Sequence, residues 1–312
     1  MRAFAIEKHG GPEVLKEYDL PIPEVGEHDV LIEVENTGIS PYDWQVRNGE
    51  TAGMFDYPNP LILGGDVSGT VRKIGNGVTN VKVGDPVIAT QDFDRNGGYA
   101  EYIAVDEKTV VKKPDSLSFE EAATIPINGM TTYQTLVKYG KISQGDRVLI
   151  HGGAGGVGIV AIQLAKAKGA YVATTASERN HEFLKSLGAD EIIDYRKVNF
   201  ADVLSDYDIV LDTQGGDTLD RSYDVLKAGG RLITIRSAGE IDEEKAKKKN
   251  IEAYFHWMEL DRDDLIEVVN LYGDGTIKAY FDTIYPLSEV RKVHERSEAA
   301  RARGKIVLKI KE

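Results

Sequence analysis

A chain of 312 residues is longer than one ordinary core organises, so two domains are the natural expectation. Its 41% hydrophobic and 29% charged residues lie near the globular norm, and no unbroken apolar run reaches the roughly 20 residues of a membrane helix, which excludes disordered and helix-spanning classes. The lack of cysteine excludes disulfides and thiolate metal sites, and a net charge of −13 opposes binding to nucleic acid or anionic membranes.

The N-terminal stretch Met1-Arg2-Ala3-Phe4-Ala5-Ile6-Glu7-Lys8 is interrupted by charge where a secretory signal keeps its apolar core, so a cytoplasmic protein is expected. Asp29–Asn36 reads as a half-buried strand with Val30, Ile32 and Val34 on one face. Pro21, Pro23 and Gly26 precede it. Gly64-Gly65, Gly75, Gly77, Gly84 and Gly97-Gly98 follow at turn-like spacing, a pattern of short strands that suits a small barrel or folded sheet. Ser118-Phe119-Glu120-Glu121 is a capping box, with Ser118 as N-cap and Glu121 at the third helical position.

From about residue 146 to 256 apolar strands alternate with helices. Strands are expected at Arg147–Ile150, Tyr171–Thr175, Glu191–Ile193, Ile209–Leu211, Arg231–Ile235 and Glu252–His256, the βαβα rhythm of a doubly wound parallel sheet. In Asp242–Lys249 the acids precede the bases, so Glu243–Lys247 and Glu244–Lys248 suit a solvated helix face better than a nucleic-acid patch. The alternating Lys305–Ile310 closes the chain as a strand expected to return to the N-terminal part.

Gly152-Gly153-Ala154-Gly155-Gly156-Val157-Gly158 follows the strand at 147–150 and precedes a helix. Gly153, Gly155 and Gly158 fit G-x-G-x-x-G, the turn that brings backbone N–H groups close to a pyrophosphate at a helix N-terminus. Gly153, Ala154, Gly155, Gly156, Val157 and Gly158 are therefore candidate contacts to a dinucleotide. The second strand ends in Thr174-Thr175-Ala176-Ser177, without the acid that accepts hydrogen bonds from the ribose of NAD. Ser177, Arg179, Asn180 and Tyr195 form a neutral-to-basic set that suits the 2′-phosphate of NADP, although Glu178, turned inward, would favour NAD.

The chain resembles the medium-chain dehydrogenase/reductase superfamily, and within it the zinc-free quinone oxidoreductase-like (zeta-crystallin-like) branch. The resemblance runs from Gly10-Gly11-Pro12-Glu13-Val14-Leu15 through Leu63-Gly64-Gly65-Asp66-Val67-Ser68-Gly69, Gly84-Asp85-Pro86-Val87 and Gly98-Tyr99-Ala100-Glu101-Tyr102. It continues through the glycine loop, Lys185–Asp190 and Leu211–Gly216 to Gly304-Lys305-Ile306-Val307-Leu308. It implies a GroES-like β-rich catalytic domain (1–122 and 266–312) around a Rossmann nucleotide-binding domain (123–265), with the active site in the cleft between them. It also implies that Thr131, Thr213 and Gly215 lie beside the cofactor.

In the superfamily's zinc-containing alcohol dehydrogenases Cys, His and Cys hold the catalytic zinc. The matching positions here are Ser40, Gly65 and Asn128, and the four-cysteine structural lobe is missing, so no catalytic metal is expected. Hydride addition to a quinone or enone can instead rely on hydrogen-bond donors that stabilise the developing oxyanion, each contributing about 3 kcal/mol.

Tyr42, where zinc enzymes keep a relay hydroxyl, either faces substrate or forms an aromatic wall. Ser40, which stands where quinone reductases often carry Asn, is a candidate catalytic residue together with Tyr42 and Asn128. Asn128 either orients a carbonyl or ties two loops together. Trp44 and Gln45 are pocket lining or core, Asp43 and Asp66 read as structural, and His151 as a buried imidazole or a group near the cofactor. His9, His28, His181, His256 and His294 lack a recognisable partner. The expected activity is NADPH-dependent reduction of a quinone or α,β-unsaturated carbonyl compound, with no zinc and with a homodimer as first candidate assembly. The competing expectation is an NADPH-binding structural or regulatory protein, as with the lens crystallins that resemble this family. A secondary alcohol dehydrogenase would require the missing zinc ligands.

Overall fold

A computed structural model describes residues 1–236, 239 and 241–311. The chain opens with β1 (Arg2–Ile6), β2 (Lys16–Asp19), β3 (Asp29–Ile39), α1 (Pro41–Asn48), β4 (Leu61–Ile62), β5 (Asp66–Ile74), β6 (Pro86–Thr90), β7 (Tyr102–Asp106) and β8 (Val110–Lys112). Helices α2 (Phe119–Ala122) and α3 (Pro126–Tyr133) lead into β9 (Arg147–Ile150), α4 (Gly156–Ala167), β10 (Tyr171–Thr175), α5 (His181–Ser186) and β11 (Glu191–Ile193). The alternation continues with β12 (Tyr207–Asp212), α6 (Gly216–Val225), β13 (Leu226–Thr234), α7 (Glu243–Lys249) and β14 (Glu252–Phe255). The last elements are α8 (Arg262–Gly273), β15 (Phe281–Pro286), α9 (Val290–Glu298) and β16 (Lys305–Lys309).

Two compact units result. One comprises Met1–Ile127, Leu260–Gly275 and Ala279–Glu312; the other comprises Asn128–Glu259 and Thr276–Lys278.

The first unit is organised by β3. Its 11 residues pair with β5 along one edge. The other edge is shared, with β7 opposite Asp29–Glu33 and β16 opposite Asn36–Ile39. The expected return of the closing strand to the N-terminal part is thus realised in β16. A second sheet of order β2-β1-β4 packs its apolar side into the same core, where Phe4, Ile6, Ile32, Val67, Val105 and Leu308 are buried. The capping box before α2 forms as expected: Glu121 N–H donates to Ser118 Oγ at 3.1 Å, and Ser118 N–H donates to the Glu121 carboxylate at 2.9 Å.

In the second unit six strands lie in the order β11-β10-β9-β12-β13-β14, all parallel. Written by position along this unit the order is 3-2-1-4-5-6, the dinucleotide-binding arrangement with its switch between β9 and β12. Val148, Leu149, Ile150, Val210, Leu211 and Leu232 are buried, as an all-parallel sheet demands. The strand boundaries at β9, β10 and β11 coincide with those expected from the apolar runs. β13 starts earlier than expected. It pairs first through Leu226 and again from Arg231, while Gly229, at φ 81°, sits in the irregular stretch that reads as a turn from sequence.

Candidate active site

Ser40 and Asp43 fix the start of α1. Tyr42 N–H donates to Ser40 Oγ at 3.2 Å, and the Asp43 carboxylate accepts from Ser40 N–H at 2.6 Å, a reciprocal cap with Pro41 at the first helical position. Ser40, predicted as catalytic, is buried and caps the helix with one lone pair of its hydroxyl oxygen. Asp43 also accepts from Gly64 N–H at 3.2 Å. Gly64 sits at φ 96°, and a Cβ there would stand 2.5 Å from the Tyr99 ring, so only glycine turns the chain at this point.

Between these two segments lies a small cavity of about 30 Å³, lined among others by Tyr42, Asp43, Tyr57, Gly64, Phe93 and Arg95. The Tyr42 and Tyr57 hydroxyls are 3.1 Å apart, and Tyr57 is in turn 3.1 Å from Thr51 Oγ1. The Tyr42 ring meets Phe93 edge-on at 5.0 Å. Arg95 holds this wall by a two-pronged pair with Asp29 at 2.9 and 3.0 Å. Burial, then the hydrogen bond to Tyr57, raises the Tyr42 pKa far above the usual tyrosine range, so the phenol stays neutral at any working pH. Trp44 and Gln45 are not among the residues lining this cavity.

Behind the cavity runs a buried polar chain. Arg47 can only donate, so its Nη1, 3.2 Å from His294 Nδ1, leaves that ring's hydrogen on Nε2, which donates to the Tyr99 hydroxyl at 3.1 Å. Burial, then Arg47, holds the His294 pKa down to about 3, so the ring is neutral. The Tyr99 phenol faces the Asp43 carboxylate, and Arg47 pairs with Glu298 on α9. Burial pushes the Asp43 pKa up to about 6 against the hydrogen bonds that lower it.

A second buried carboxylate, Asp66, accepts from Ile127 N–H at 3.1 and 3.2 Å and pairs with Lys305 of β16. The Lys305 stem passes over Gly38, where a Cβ would come within 2.9 Å of Lys305 Cε and 2.1 Å of Ala123 O. Burial raises the Asp66 pKa and Lys305 opposes it. Asp43 and Asp66 are structural, as expected, each binding several segments of the unit at once.

In the second unit the glycine loop joins β9 to α4. A Cβ on Gly153 would fall 2.1 Å from Thr174 Oγ1, and one on Gly158 would fall 2.4 Å from Gly152 O. Those two glycines are demanded by the chain's own packing. A Cβ on Gly155 would meet only Gly152 O, at 3.3 Å, so the chain's own packing constrains this glycine less than the other two. Gly155 caps α4 without a side-chain hydrogen bond, which leaves the first-turn N–H groups at Gly156, Val157 and Gly158 unmet by any cap side chain. Ala154 lies within this turn. A missing Cβ and open first-turn donors suit a pyrophosphate. Asn128 belongs to this unit, and its carboxamide lies 2.5 Å from where a Gly156 Cβ would be. Its position is thus against the cradle. Thr131 is buried in α3, its carbonyl accepting from Thr135 Oγ1 at 2.7 Å.

His151 is a satisfied buried imidazole beneath the loop. Ser222 Oγ donates to Thr218 O at 2.7 Å, so it accepts from His151 Nε2–H at 3.0 Å, and Nδ1 accepts from Thr175 Oγ1 at 3.1 Å. Burial, then Arg221, lowers the His151 pKa to about 3. Thr213 Oγ1 donates to His151 O at 2.8 Å. Gly215, at φ 75°, donates its N–H to buried Asp212 at 3.0 Å. Asp212 also accepts from Gln214 N–H and Thr234 Oγ1, so it holds the whole turn after β12.

At the end of β10 Ser177 and Asn180 are both buried, and Asn180 Nδ2 donates to Ser177 Oγ at 3.4 Å. Tyr195 is exposed, with the Arg196 guanidinium over its ring at 5.6 Å. Glu178 pairs with Lys197 at 2.7 Å, and this partner lowers its pKa. Arg179 lies in the short helical turn that follows Ser177.

Partners that sequence alone does not reveal are supplied by the fold. His294 bonds Tyr99 and Arg47, His28 bonds Glu107 at 2.9 Å, His9 lies 3.0 Å from Val46 O, His181 lies 3.3 Å from Ala176 O, and His256 bonds Gln134 at 2.9 Å. Tyr57 and Phe93 join the cavity beside Tyr42, and Lys305 joins Asp66. For Tyr57 a local signal existed in the cluster Phe55-Asp56-Tyr57 after the Tyr42 helix; Lys305 had none.

Among the described residues no helix is long and apolar enough to cross a membrane. The model of the alcohol dehydrogenase GroES-like domain matches residues 26–115, and that of a zinc-binding dehydrogenase matches residues 187–308. The chain is 32% identical to a chloroplast envelope quinone oxidoreductase homolog of Arabidopsis thaliana, over 99% of this chain and 98% of that protein. It is 35% identical to an NADPH-dependent alkenal/one oxidoreductase from the same plant, over 99% of this chain and 79% of that one. The solved quinone oxidoreductase of Coxiella burnetii superposes with a TM-score of 0.93 at 38% identity, covering 100% of this chain and 99% of the other. With a GroES-like domain, a six-stranded dinucleotide-type sheet and oxidoreductase relatives along its whole length, the chain belongs to the medium-chain dehydrogenase/reductase superfamily, alongside its quinone oxidoreductase-like members.

Proposed function

We propose that this oxidoreductase uses NADPH, without zinc, to reduce quinones or α,β-unsaturated carbonyl compounds. The observation that carries the reading is the fate of three positions. Where zinc-dependent relatives supply Cys, His and Cys, this chain has a helix-capping hydroxyl (Ser40), a residue with no side chain (Gly65) and a carboxamide against the glycine cradle (Asn128). None of these is a good zinc donor. Alcohol oxidation, which needs a Lewis acid to stabilise an alkoxide, is therefore a poor fit.

The Gly153–Gly158 turn would hold the pyrophosphate, with Thr131, Thr213 and Gly215 near the nicotinamide half. Ser177, Arg179, Asn180 and Tyr195 would meet the adenosine end, where Lys197 offsets the Glu178 carboxylate and so favours a 2′-phosphate. The relative named for NADPH supports the same choice. The bound nucleotide supplies hydride. Tyr42, neutral and hydroxyl-bearing, would donate a hydrogen bond to the acceptor's oxygen as negative charge builds there.

The small free volume beside Tyr42 is the one feature that suits the second reading, a nucleotide-binding protein without turnover. Stopped-flow mixing of NADPH with a panel of quinones and enones separates the two. Rapid NADPH oxidation with some acceptor is expected; tight NADPH binding with no oxidation by any acceptor would establish the second reading instead.

A further inference from the structure

We propose that Tyr57 is a positioning residue that donates to the Tyr42 hydroxyl when the acceptor is bound, leaving the Tyr42 hydrogen for the acceptor's oxygen. The inference rests on the reductase reading above and deepens it.

Thr51 Oγ1, Tyr57 OH and Tyr42 OH stand in a row at 3.1 Å per step. A hydroxyl carries one hydrogen and two lone pairs, so such a row can run in either of two senses. In one, Thr51 donates to Tyr57 and Tyr57 to Tyr42, leaving the Tyr42 hydrogen for the acceptor. In the other, Tyr42 spends its hydrogen on Tyr57. A quinone or enone oxygen offers lone pairs and no hydrogen, so its arrival selects the first sense. Each donated bond then polarises the next, by roughly 10–30%.

Thr51 is buried, so bulk water does not compete for the first hydroxyl. The Tyr57 ring packs 5.9 Å from Phe55 and the Tyr42 ring 5.0 Å from Phe93, contacts that support both phenols. Tyr42 stays un-ionised throughout, because burial disfavours the phenolate. The stoichiometry is unchanged by the row. The acceptor gains two electrons and one proton as hydride from the reduced nucleotide and a second proton from solvent. Each of the three hydroxyls ends the turnover with the proton it started with.

The test is a cycle of Tyr42→Phe, Tyr57→Phe and the double variant, with Thr51→Val as a milder interruption of the same row. Turnover is measured with a naphthoquinone and an alkenal, NADPH affinity by fluorescence titration, and integrity by thermal melts. Tyr42→Phe should lower kcat about a hundredfold. Tyr57→Phe should lower it several-fold to about tenfold, with nucleotide affinity unchanged, and Thr51→Val should do so by less. The double variant should be no slower than Tyr42→Phe alone, because Tyr57 acts only through Tyr42. A merely structural Tyr57 would instead give multiplying losses and a lowered melting temperature. Tyr57→Phe turning over within twofold of the parent, or losses that multiply, overturns the inference while the reductase reading stands. A parent protein that oxidises NADPH with no acceptor takes down both.

Discussion

The His294 imidazole donates to the Tyr99 phenol at 3.1 Å because Arg47 occupies the ring's other nitrogen. This arrangement makes the protein sensitive to acid. His294 and His151 are both held to about 3, against an ordinary 6.5, so below pH 6.5 the unfolded chain takes up their protons and the folded one does not. Each therefore removes about 1.4 kcal/mol of stability per pH unit as the pH falls through that window. Asp43 acts in the opposite direction. Its folded pKa of about 6 lies above the ordinary 3.8, so it adds stability as the pH falls from 6 towards 4. Asp66, also raised by burial, acts in the same direction as Asp43. Urea unfolding between pH 6 and 4 should show His294→Gln losing less stability than the parent as the pH falls.

Asp66 and Lys305 form an ion pair with both side chains almost wholly buried. Lys305→Met leaves a buried carboxylate without its cation and should cost about 3–5 kcal/mol in denaturant unfolding. Adding Asp66→Asn to that variant should recover part of the loss, since no uncompensated charge then remains. A double variant less stable than Lys305→Met would contradict this account.

The glycines of the cradle should separate into two kinds. Gly158→Ala drives a Cβ into Gly152 O and should destabilise the second unit by 2 kcal/mol or more, about the scale of other overpacking changes. Gly155→Ala meets a single atom at 3.3 Å and should fold with little loss. Its NADPH dissociation constant should nonetheless rise at least about tenfold, because the backbone no longer approaches the pyrophosphate. Titration of NADPH fluorescence beside a thermal melt distinguishes them.

Nucleotide choice is expected to depend on cations at the ends of β10 and β11. Arg179→Ala should lower kcat/KM for NADPH about tenfold while leaving that for NADH nearly unchanged, the pattern of a lost charge-assisted contact to a 2′-phosphate. Lys197→Ala, by releasing Glu178, should shift the ratio of the two in the same direction. Equal losses with both nucleotides would place these residues away from the adenosine end.

Zinc independence has a direct check. Elemental analysis of the purified protein should find far less than one zinc per chain, and dialysis against a strong chelator should leave turnover unchanged. Stoichiometric zinc, or activity lost to the chelator and regained with the metal, would restore alcohol dehydrogenase chemistry to consideration.

The fold was legible where local pattern and tertiary demand agree. Strands β9 to β11 were readable to the residue because each is an apolar run bounded by turn residues, and Ser118–Glu121 because a capping box is wholly local. β13 was misjudged at its start, since Ala228-Gly229-Gly230 has turn composition yet lies inside an irregular strand. The acceptor side was only half legible. Tyr42 could be reached through resemblance, but Tyr57 and Phe93 meet it through tertiary contacts that leave no periodic trace. At Ser40 the resemblance points to chemistry, and the structure adds a cap at the start of α1.

The link from Asp66 to Lys305 also imposes an order of events during synthesis. The two lie 239 residues apart, an interval of roughly ten to fifty seconds at ordinary rates of translation. Through that interval the emerging carboxylate must remain hydrated, so the strands around it cannot close over it. Residues 128–259, a nearly contiguous unit, face no such delay. A ribosome-bound intermediate with its nucleotide unit formed and its flanking β-rich unit still open is therefore the natural late stage of biogenesis.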